Sequence, residues 1–245
     1  MNILVLGASS AIATACARKW ASNTNKFYLV ARSADKLDTV KNDLIVRGAI
    51  EVNTLAGDMC DQEFQNLVVA SAFSHLVPID IVLLSYGTLP EQSLCEKDSQ
   101  LAMREFSNNA TSAISFLIKI SPKMKAQKNG CIAVISSVAG DRGRPSNYLY
   151  GSAKAAVSTF CEGLRANLFK SGVHVLTIKP GFVNTPMTQG LPLPQRLIAS
   201  PDKVASDITK AVRKRNNTLY TPWFWRWIMF IICSIPTAIF KRMRL

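Results

Sequence analysis

Short apolar runs alternate along this chain with longer segments that read as helices, and that rhythm restricts the fold more than any single motif. The runs are Asn2–Leu6, Phe27–Ala31, Ile50–Leu55, Ile79–Leu84, Cys131–Ile135, Val173–Ile178 and a short last one at Thr218–Tyr220. Between them, stretches such as Asp35–Arg47 and Asp61–Ser74 place apolar residues three to four apart. Strands separated in this way by crossover helices form a parallel sheet. The expected fold is therefore α/β, a doubly wound parallel sheet of about seven strands over residues 1–220, binding its ligands beyond the carboxyl ends of the strands. A chain of 245 residues suits one large domain, and no internal repeat or low-complexity linker divides it. Asp35 opens one helix after Arg32-Ser33, and Gly48 closes it. Pro180–Pro201 holds five prolines and two glycines and reads as a long loop, of the kind that often serves as a lid.

The net charge of +13 is concentrated late in the chain. The last acid is Asp207; Lys210, Arg213, Lys214, Arg215, Arg226, Lys241, Arg242 and Arg244 follow it with no compensating carboxylate. Residues 221–245 form an aromatic and basic tail that includes Trp223-Phe224-Trp225-Arg226-Trp227 and an apolar run interrupted by Pro236. The apolar span Trp227–Phe240 is 14 residues, shorter than the roughly 17–25 that cross a bilayer as a helix. Residues 223–245 are thus expected to lie in the headgroup region of an anionic membrane. The competing readings are a helix closing the substrate pocket or a homo-oligomer interface (dimer or tetramer); a spanning helix fits least. Nucleic acid is not expected, because no repeating pattern of stacking platform and basic groove is visible.

Six cysteines without a C-x-x-C pair, and without a histidine at ligand spacing, argue against zinc and against a disulfide framework. His75 and His174 are expected to be structural. Met1-Asn2 leads straight into Ile3-Leu4-Val5-Leu6, so no signal peptide is expected, and the location read from these features is cytoplasmic, peripheral on the inner face of the membrane.

Three sites carry chemistry. The first run enters Gly7-Ala8-Ser9-Ser10-Ala11-Ile12-Ala13 and then a helix, a turn able to hold a pyrophosphate on backbone N–H groups. An ordinary strand–helix turn with Ser as N-cap reads equally well. The second run ends in Ala31-Arg32-Ser33; an acid there would bind a free ribose 2′-hydroxyl, whereas Arg32 suits a 2′-phosphate, so NADP(H) is preferred over NAD(H). After the fifth run come Ser136-Ser137 and, thirteen residues beyond Ser137, Tyr150-Gly151-Ser152-Ala153-Lys154. Tyr150 and Lys154 share a helix face one turn apart. An ammonium beside a phenol lowers its pKa toward the working range, and Ser137 at a strand end can hydrogen-bond a substrate oxygen that changes charge.

On these residues the chain resembles the short-chain dehydrogenase/reductase family over roughly residues 1–220. The resemblance implies a Rossmann-type fold and transfer of a hydride between a nicotinamide and a ketone or alcohol. It assigns Ser137, Tyr150 and Lys154 as catalytic, with Asn109, or the adjacent Asn108, helping to hold a water behind Lys154. It implies cofactor contacts from Gly7, Ser9, Ser10, Ala11, Ile12, Arg32, Asp58, Met59, Tyr150 and Lys154. It adds Pro180, Gly181, Val183 and Thr185 near the nicotinamide. Ala11 and Ala13 replace two family glycines, and Ser85-Tyr86-Gly87 stands where the family has Asn-Ala-Gly, with only Gly87 matching. The tail is more loosely similar to that of decaprenylphosphoryl-2-keto-sugar reductases, implying a ketone on a lipid- or polyprenyl-linked substrate. A soluble 3-oxoacyl or steroid-type reductase and a non-enzymatic dinucleotide sensor are the alternatives.

Overall fold

The computed structural model describes residues 1–22 and 24–243. Its strands are β1 (Asn2–Leu6), β2 (Lys26–Ala31), β3 (Glu51–Ala56), β4 (Ile81–Leu84), β5 (Cys131–Ile135), β6 (His174–Pro180) and β7 (Thr218–Thr221). They form one parallel sheet in the order β3-β2-β1-β4-β5-β6-β7. The helices are α1 (Ala11–Trp20), α2 (Ala34–Val46), α3 (Gln62–His75), α4 (Gln92–Cys95) and α5 (Ser99–Phe106). They continue as α6 (Ser112–Gln127), α7 (Tyr148–Leu168), α8 (Pro201–Arg213), α9 (Trp225–Ser234) and α10 (Thr237–Phe240).

β1 shows why the runs are apolar throughout. Ile3 and Val5 face a core shared with α1, α2 and α8, while Leu4 and Leu6 face a second core shared with α3, α6 and α7. A strand covered on both sides has no polar face. The strand order reverses between β1 and β4, which opens a crevice beyond Leu6 and Leu84. The expected doubly wound sheet is therefore the fold of this chain, with strand ends shifted by one or two residues. Two helix starts need correction. Ser33, not Asp35, is the N-cap of α2, accepting from Lys36 N at 3.3 Å. Asp61 lies outside α3 as its N-cap. In both cases the side-chain oxygen satisfies a first-turn N–H better from outside the helix than within it.

The proline-rich stretch is only partly open loop. β6 runs through Pro180, and short 3-10 turns occupy Pro186–Thr188 and Gln195–Leu197. A parallel bridge between Val183 and Ala199 closes the segment on itself. Pro201 then begins α8, where its missing N–H costs nothing.

The tail packs back on the body. Trp225 and Met229 of α9 are buried, and with Val138 they form a third small core joined by Phe182, Leu197 and Tyr220. Arg142 fastens the far end of α9 by donating to the carbonyls of Ile232, Cys233 (3.1 Å) and Ile235 (2.7 Å). Its guanidinium also lies 3.8 Å from the Phe240 ring centre. These bonds satisfy carbonyls that a helix end leaves without partners. Among the described residues no helix is long and apolar enough to cross a membrane. Arg244 and Leu245 of the tail lie outside the described residues.

All six cysteines are free. The two histidines are tied into the structure: His174 Nε2 pairs with the carbonyl of Asn216 at 2.9 Å, and His75 Nδ1 with that of Ser71 at 2.8 Å.

Candidate active site

Ser137 lies two residues past the end of β5, and Tyr150 and Lys154 stand on the first two turns of α7. Close backbone contact brings these elements together. A Cβ on Gly140 would sit 2.8 Å from the amide nitrogen of Ala155 and the carbonyl carbon of Lys154. One on Gly151 would sit 2.8 Å from the carbonyl oxygen of Ala139. No larger residue leaves the turn at Val138–Gly140 this close to α7. Behind the contact, Ser136 Oγ donates to the carbonyl of Lys154 at 2.9 Å and pairs with Ser158 Oγ at 2.8 Å. The sequence reading missed Gly140, Gly151, Ser136 and Ser158. Small residues facing each other across the strand–helix junction were the available signal.

Burial sets the electrostatics. Desolvation pushes the Tyr150 phenol up to about 12, opposed by a hydrogen bond with Ser137. It pulls the Lys154 ammonium down to about 8. The ammonium lies 5.6 Å from the Tyr150 ring centre. The phenol is therefore raised rather than lowered: loss of water outweighs the hydrogen bond with Ser137. At neutral pH the phenol is protonated and most of the lysine remains charged. Ser137 Oγ also accepts from Ala139 N at 3.1 Å, which fixes the serine as the cap of the 3-10 turn.

Asn109 is buried in a single π turn, Ser107–Thr111, between α5 and α6. Its Oδ1 accepts from Thr88 N at 3.0 Å and its Nδ2 donates to the carbonyl of Glu105 at 2.9 Å. Gly87, at φ +150°, fits beneath it, since a Cβ there would meet Asn109 Oδ1 at 2.5 Å and Lys154 Nζ at 3.3 Å. Asn108 points elsewhere and accepts from Cys60 Sγ at 3.0 Å. Of the two asparagines, the geometry puts Asn109 beside Lys154.

The glycine turn is shaped for close approach. Gly7 has φ +85°, and a Cβ on it would lie 2.5 Å from the Ser85 carbonyl oxygen. Ala11 begins α1 in ordinary helical backbone, so it needs no glycine freedom there; Ala13 is buried where the helix packs on the sheet. Ser10 Oγ accepts from Ala13 N at 3.2 Å and pairs with Ser85 Oγ at 2.8 Å. Ser10 is therefore both the N-cap and part of the crevice wall. Ser9 is exposed at this turn, and Ile12 packs against the core. The Ser85-Tyr86-Gly87 departure has a packing reason. The Tyr86 ring turns away toward Phe116, 6.4 Å between centres, and its hydroxyl reaches Ser112 Oγ at 3.2 Å.

Arg32 is exposed at the end of β2 and lines an open cleft of about 790 Å³ with Gly57, Asp58, Cys60, Arg104 and Asn108. Met59, beside Asp58, is buried, with its carbonyl held by Gln65 Nε2 at 2.7 Å. On the opposite side, Pro180 ends β6 and Gly181 N donates to the carbonyl of Thr221 at 3.0 Å. A Cβ on Gly181 would collide with the indole of Trp225. Val183 is buried, and Thr185 caps the following turn through Thr188. The residues named from the sequence thus follow the carboxyl ends of the strands, and of them Arg32, Asp58 and Asn108 line the open cleft. Trp225, which the sequence left in the tail, joins the side nearest Ser137.

The family model for short chain dehydrogenases matches residues 1–195. An uncharacterized oxidoreductase of Mycobacterium tuberculosis is 32% identical over 241 residues, covering 98% of this chain and 96% of the relative. Another, of Streptomyces coelicolor, is 32% identical over 244 residues, covering 99% and 95%. Among solved structures, a short-chain dehydrogenase from Sphingobium yanoikuyae in complex with NADPH superimposes with a TM-score of 0.82 at 21% identity, covering 97% of each chain. The L-sorbose reductase of Gluconobacter frateurii, complexed with NADPH and L-sorbose, gives 0.80 at 22% identity, covering 90% of this chain and 94% of that one. With the family model spanning most of its length, this chain belongs to the short-chain dehydrogenase family of NAD(P)-dependent oxidoreductases.

Proposed function

We propose that this protein is an NADPH-dependent reductase of a ketone carried on a lipid- or polyprenyl-linked sugar, working at a membrane surface. The observation that carries the reductase reading is the meeting of Ser137, Tyr150 and Lys154 where the turn after β5 packs on α7. A phenol pushed up to about 12 is an acid, not a base, at neutral pH. Tyr150 gives its proton to the carbonyl oxygen as that oxygen gains charge, and Ser137 hydrogen-bonds the same oxygen. The Lys154 ammonium stabilises the phenolate left behind, and Asn109 helps hold a water that returns a proton through Lys154. When bound, the dinucleotide supplies the hydride.

The glycine turn fits such a group, since Gly7 has no side chain to fill the crevice and α1 opens toward it. Gly7 and the backbone of Ser9, Ser10, Ala11 and Ile12 would hold the pyrophosphate. Arg32 would hold the 2′-phosphate, Asp58 and Met59 the adenine, and the Ser85-Tyr86-Gly87 backbone the adjoining ribose. Tyr150 and Lys154 would hold the nicotinamide ribose, with Pro180, Gly181, Val183 and Thr185 around the nicotinamide. The NADPH bound by the Sphingobium and Gluconobacter proteins, and the keto sugar bound by the latter, support this choice of cofactor and substrate class.

The membrane reading draws on the outer face of the tail. Trp223, Trp227, Phe230 and Ile231 are 70%, 58%, 65% and 63% exposed, with Arg226, Lys241 and Arg242 exposed among them. Large aromatics set among cations suit an anionic headgroup layer. A second reading, a soluble 3-oxoacyl or steroid-type reductase with this face in an oligomer interface, draws on the same exposure. The deciding assay follows NADPH oxidation with lipid-linked keto sugars beside soluble 3-oxoacyl and steroid ketones. Turnover is expected to favour the lipid-linked series and to vanish in Tyr150→Phe. Turnover confined to the soluble ketones would move the assignment to the second reading.

A further inference from the structure

Among the described residues, three buried side-chain polar atoms lack a hydrogen-bond partner: Arg144 Nε, Asn147 Oδ1 and Trp225 Nε1. All three belong to the loop between β5 and α7 or to the helix that packs on it. Asn147 N donates to the carbonyl of Arg144 at 3.2 Å, and the Asn147 carbonyl accepts from Gly151 N at 2.8 Å, next to Tyr150. Arg144 Nη2 reaches Met229 Sδ at 3.2 Å, and Met229 shares a small core with Trp225 and Val138, the residue after Ser137. The residues that carry the orphaned atoms therefore lie along the β5–α7 loop and the helix packed on it, next in chain or packing to Ser137 and Tyr150.

A buried polar atom without a partner is costly, and a guanidinium without a counterion more so. Arg144 Nε has no partner, and the charge of Asp141 acts on the guanidinium from a distance, without an ion pair or hydrogen bond between them. A thioether is a weak acceptor. The acid in the same loop, Asp141, is already taken by Lys179 at 2.6 Å and by the Tyr220 hydroxyl at 2.9 Å. Desolvation accordingly lowers the Arg144 pKa. Trp225 is only 2% exposed, its ring lies over Gly181, and its N–H meets no acceptor. Packing alone would be served as well by phenylalanine and leucine at these positions. Two donors, one of them cationic, beside one acceptor describe the complement of an oxyanion with a neighbouring hydroxyl.

We propose that Arg144, Trp225 and Asn147 form a substrate subsite for an oxyanion, a phosphate or carboxylate carried by the ketone. Arg144 and the Trp225 indole donate to the anion, and Asn147 Oδ1 accepts from a hydroxyl beside it. The subsite rests on the reductase reading and narrows it to ketones that bear an anionic group within reach of the carbonyl. It also supplies an orientation, since an anion fixed beyond Tyr150 holds the carbonyl between the phenol and the opposite crevice wall.

Two measurements test it. With the protein saturated in NADPH, inorganic phosphate and acetate are titrated separately while the melting temperature is followed. At about ten times its Kd, the preferred anion is expected to raise that temperature by roughly 3–5 °C, and Arg144→Gln should abolish the rise. A wild-type protein that responds to neither anion overturns the proposal. Keto sugars are then compared with their phosphate or carboxylate derivatives. Arg144→Gln should lower kcat/KM for the anionic member roughly 10- to 100-fold more than for its neutral partner. Trp225→Phe, which keeps the ring over Gly181 but removes the N–H, should show a smaller loss in the same direction. Equal losses on both members overturn the subsite while leaving the reductase intact. Failure to bind NADPH, or to reduce any ketone, overturns the reductase reading instead.

Discussion

Gly140 stands so close to Lys154 that a single methyl group on it would lie 2.8 Å from the lysine's carbonyl carbon. The contact sets the distance between Ser137, two residues past β5, and Tyr150 in the first turn of α7. Gly140→Ala must push the helix away or the turn outward. The expected cost is about 1–3 kcal/mol of stability, with a fall in kcat of about 100-fold because the three side chains no longer converge. A chemical melt and a turnover assay on the same variant check both; an unchanged kcat would remove the contact from any role in the site.

Removing the Tyr150 hydroxyl should remove the proton donor and little else. Tyr150→Phe is expected to lower kcat by roughly 100- to 10,000-fold, with the NADPH dissociation constant changed by less than about threefold. Steady-state kinetics together with NADPH fluorescence titration separates the two effects. Retained turnover would place the proton donor elsewhere.

The depressed Lys154 pKa should set the alkaline limb of the proposed activity. Reduction that depends on the ammonium should decline as pH rises through about 8. The phenol, raised to about 12, stays protonated across that range. A pH profile of kcat/KM should therefore show one ionisation near 8, and Lys154→Arg should move it upward.

The same lysine carries a stability signature of definite sign. Its ordinary value of 10.5 falls to about 8 on folding, which disfavours the charged form by about 3 kcal/mol. Below about 8 both folded and unfolded chains carry the proton, and the full penalty applies. Between 8 and 10.5 the folded chain sheds its proton first, so the penalty shrinks as pH rises. Lys154→Met should thus stabilise the protein by about 1–3 kcal/mol at pH 7, with the gap closing toward pH 10. Urea melts of both proteins at several pH values check the trend.

Arg32→Ala should separate the two dinucleotides. NADPH affinity is expected to fall about 10- to 100-fold as a charge-assisted contact to the 2′-phosphate is lost, with NADH affinity unchanged within about twofold. Equal losses for both would assign Arg32 to the adenine end in general.

Local pattern made the sheet and the tyrosine–lysine pair readable, because both depend on spacing within one element. β1 and α7 each declare themselves within a few residues. Asn109 was less distinct from Asn108, since only the π turn decides which of two adjacent side chains turns inward. Gly140 and Ser158 act between segments, and spacing along one element does not report the gap between two. Arg142 reads as a loop cation until α9, ninety residues on, brings its carbonyls to the guanidinium. The tail's composition disclosed aromatics and cations but not orientation, because a helix apolar on both faces does not announce which one is buried.

The wall over Gly181 has a consequence for the order in which the protein is made. Ser137, Tyr150 and Lys154 all precede α9, and the seven strands are complete before Trp225 is added. A growing chain arrested at residue 224 therefore carries the phenol, the serine and the lysine, but Val138 and Phe182 stand bare. The proposed catalytic residues thus come off the ribosome before the wall over Gly181, and Arg142 is the latch that joins the later segment to the earlier one.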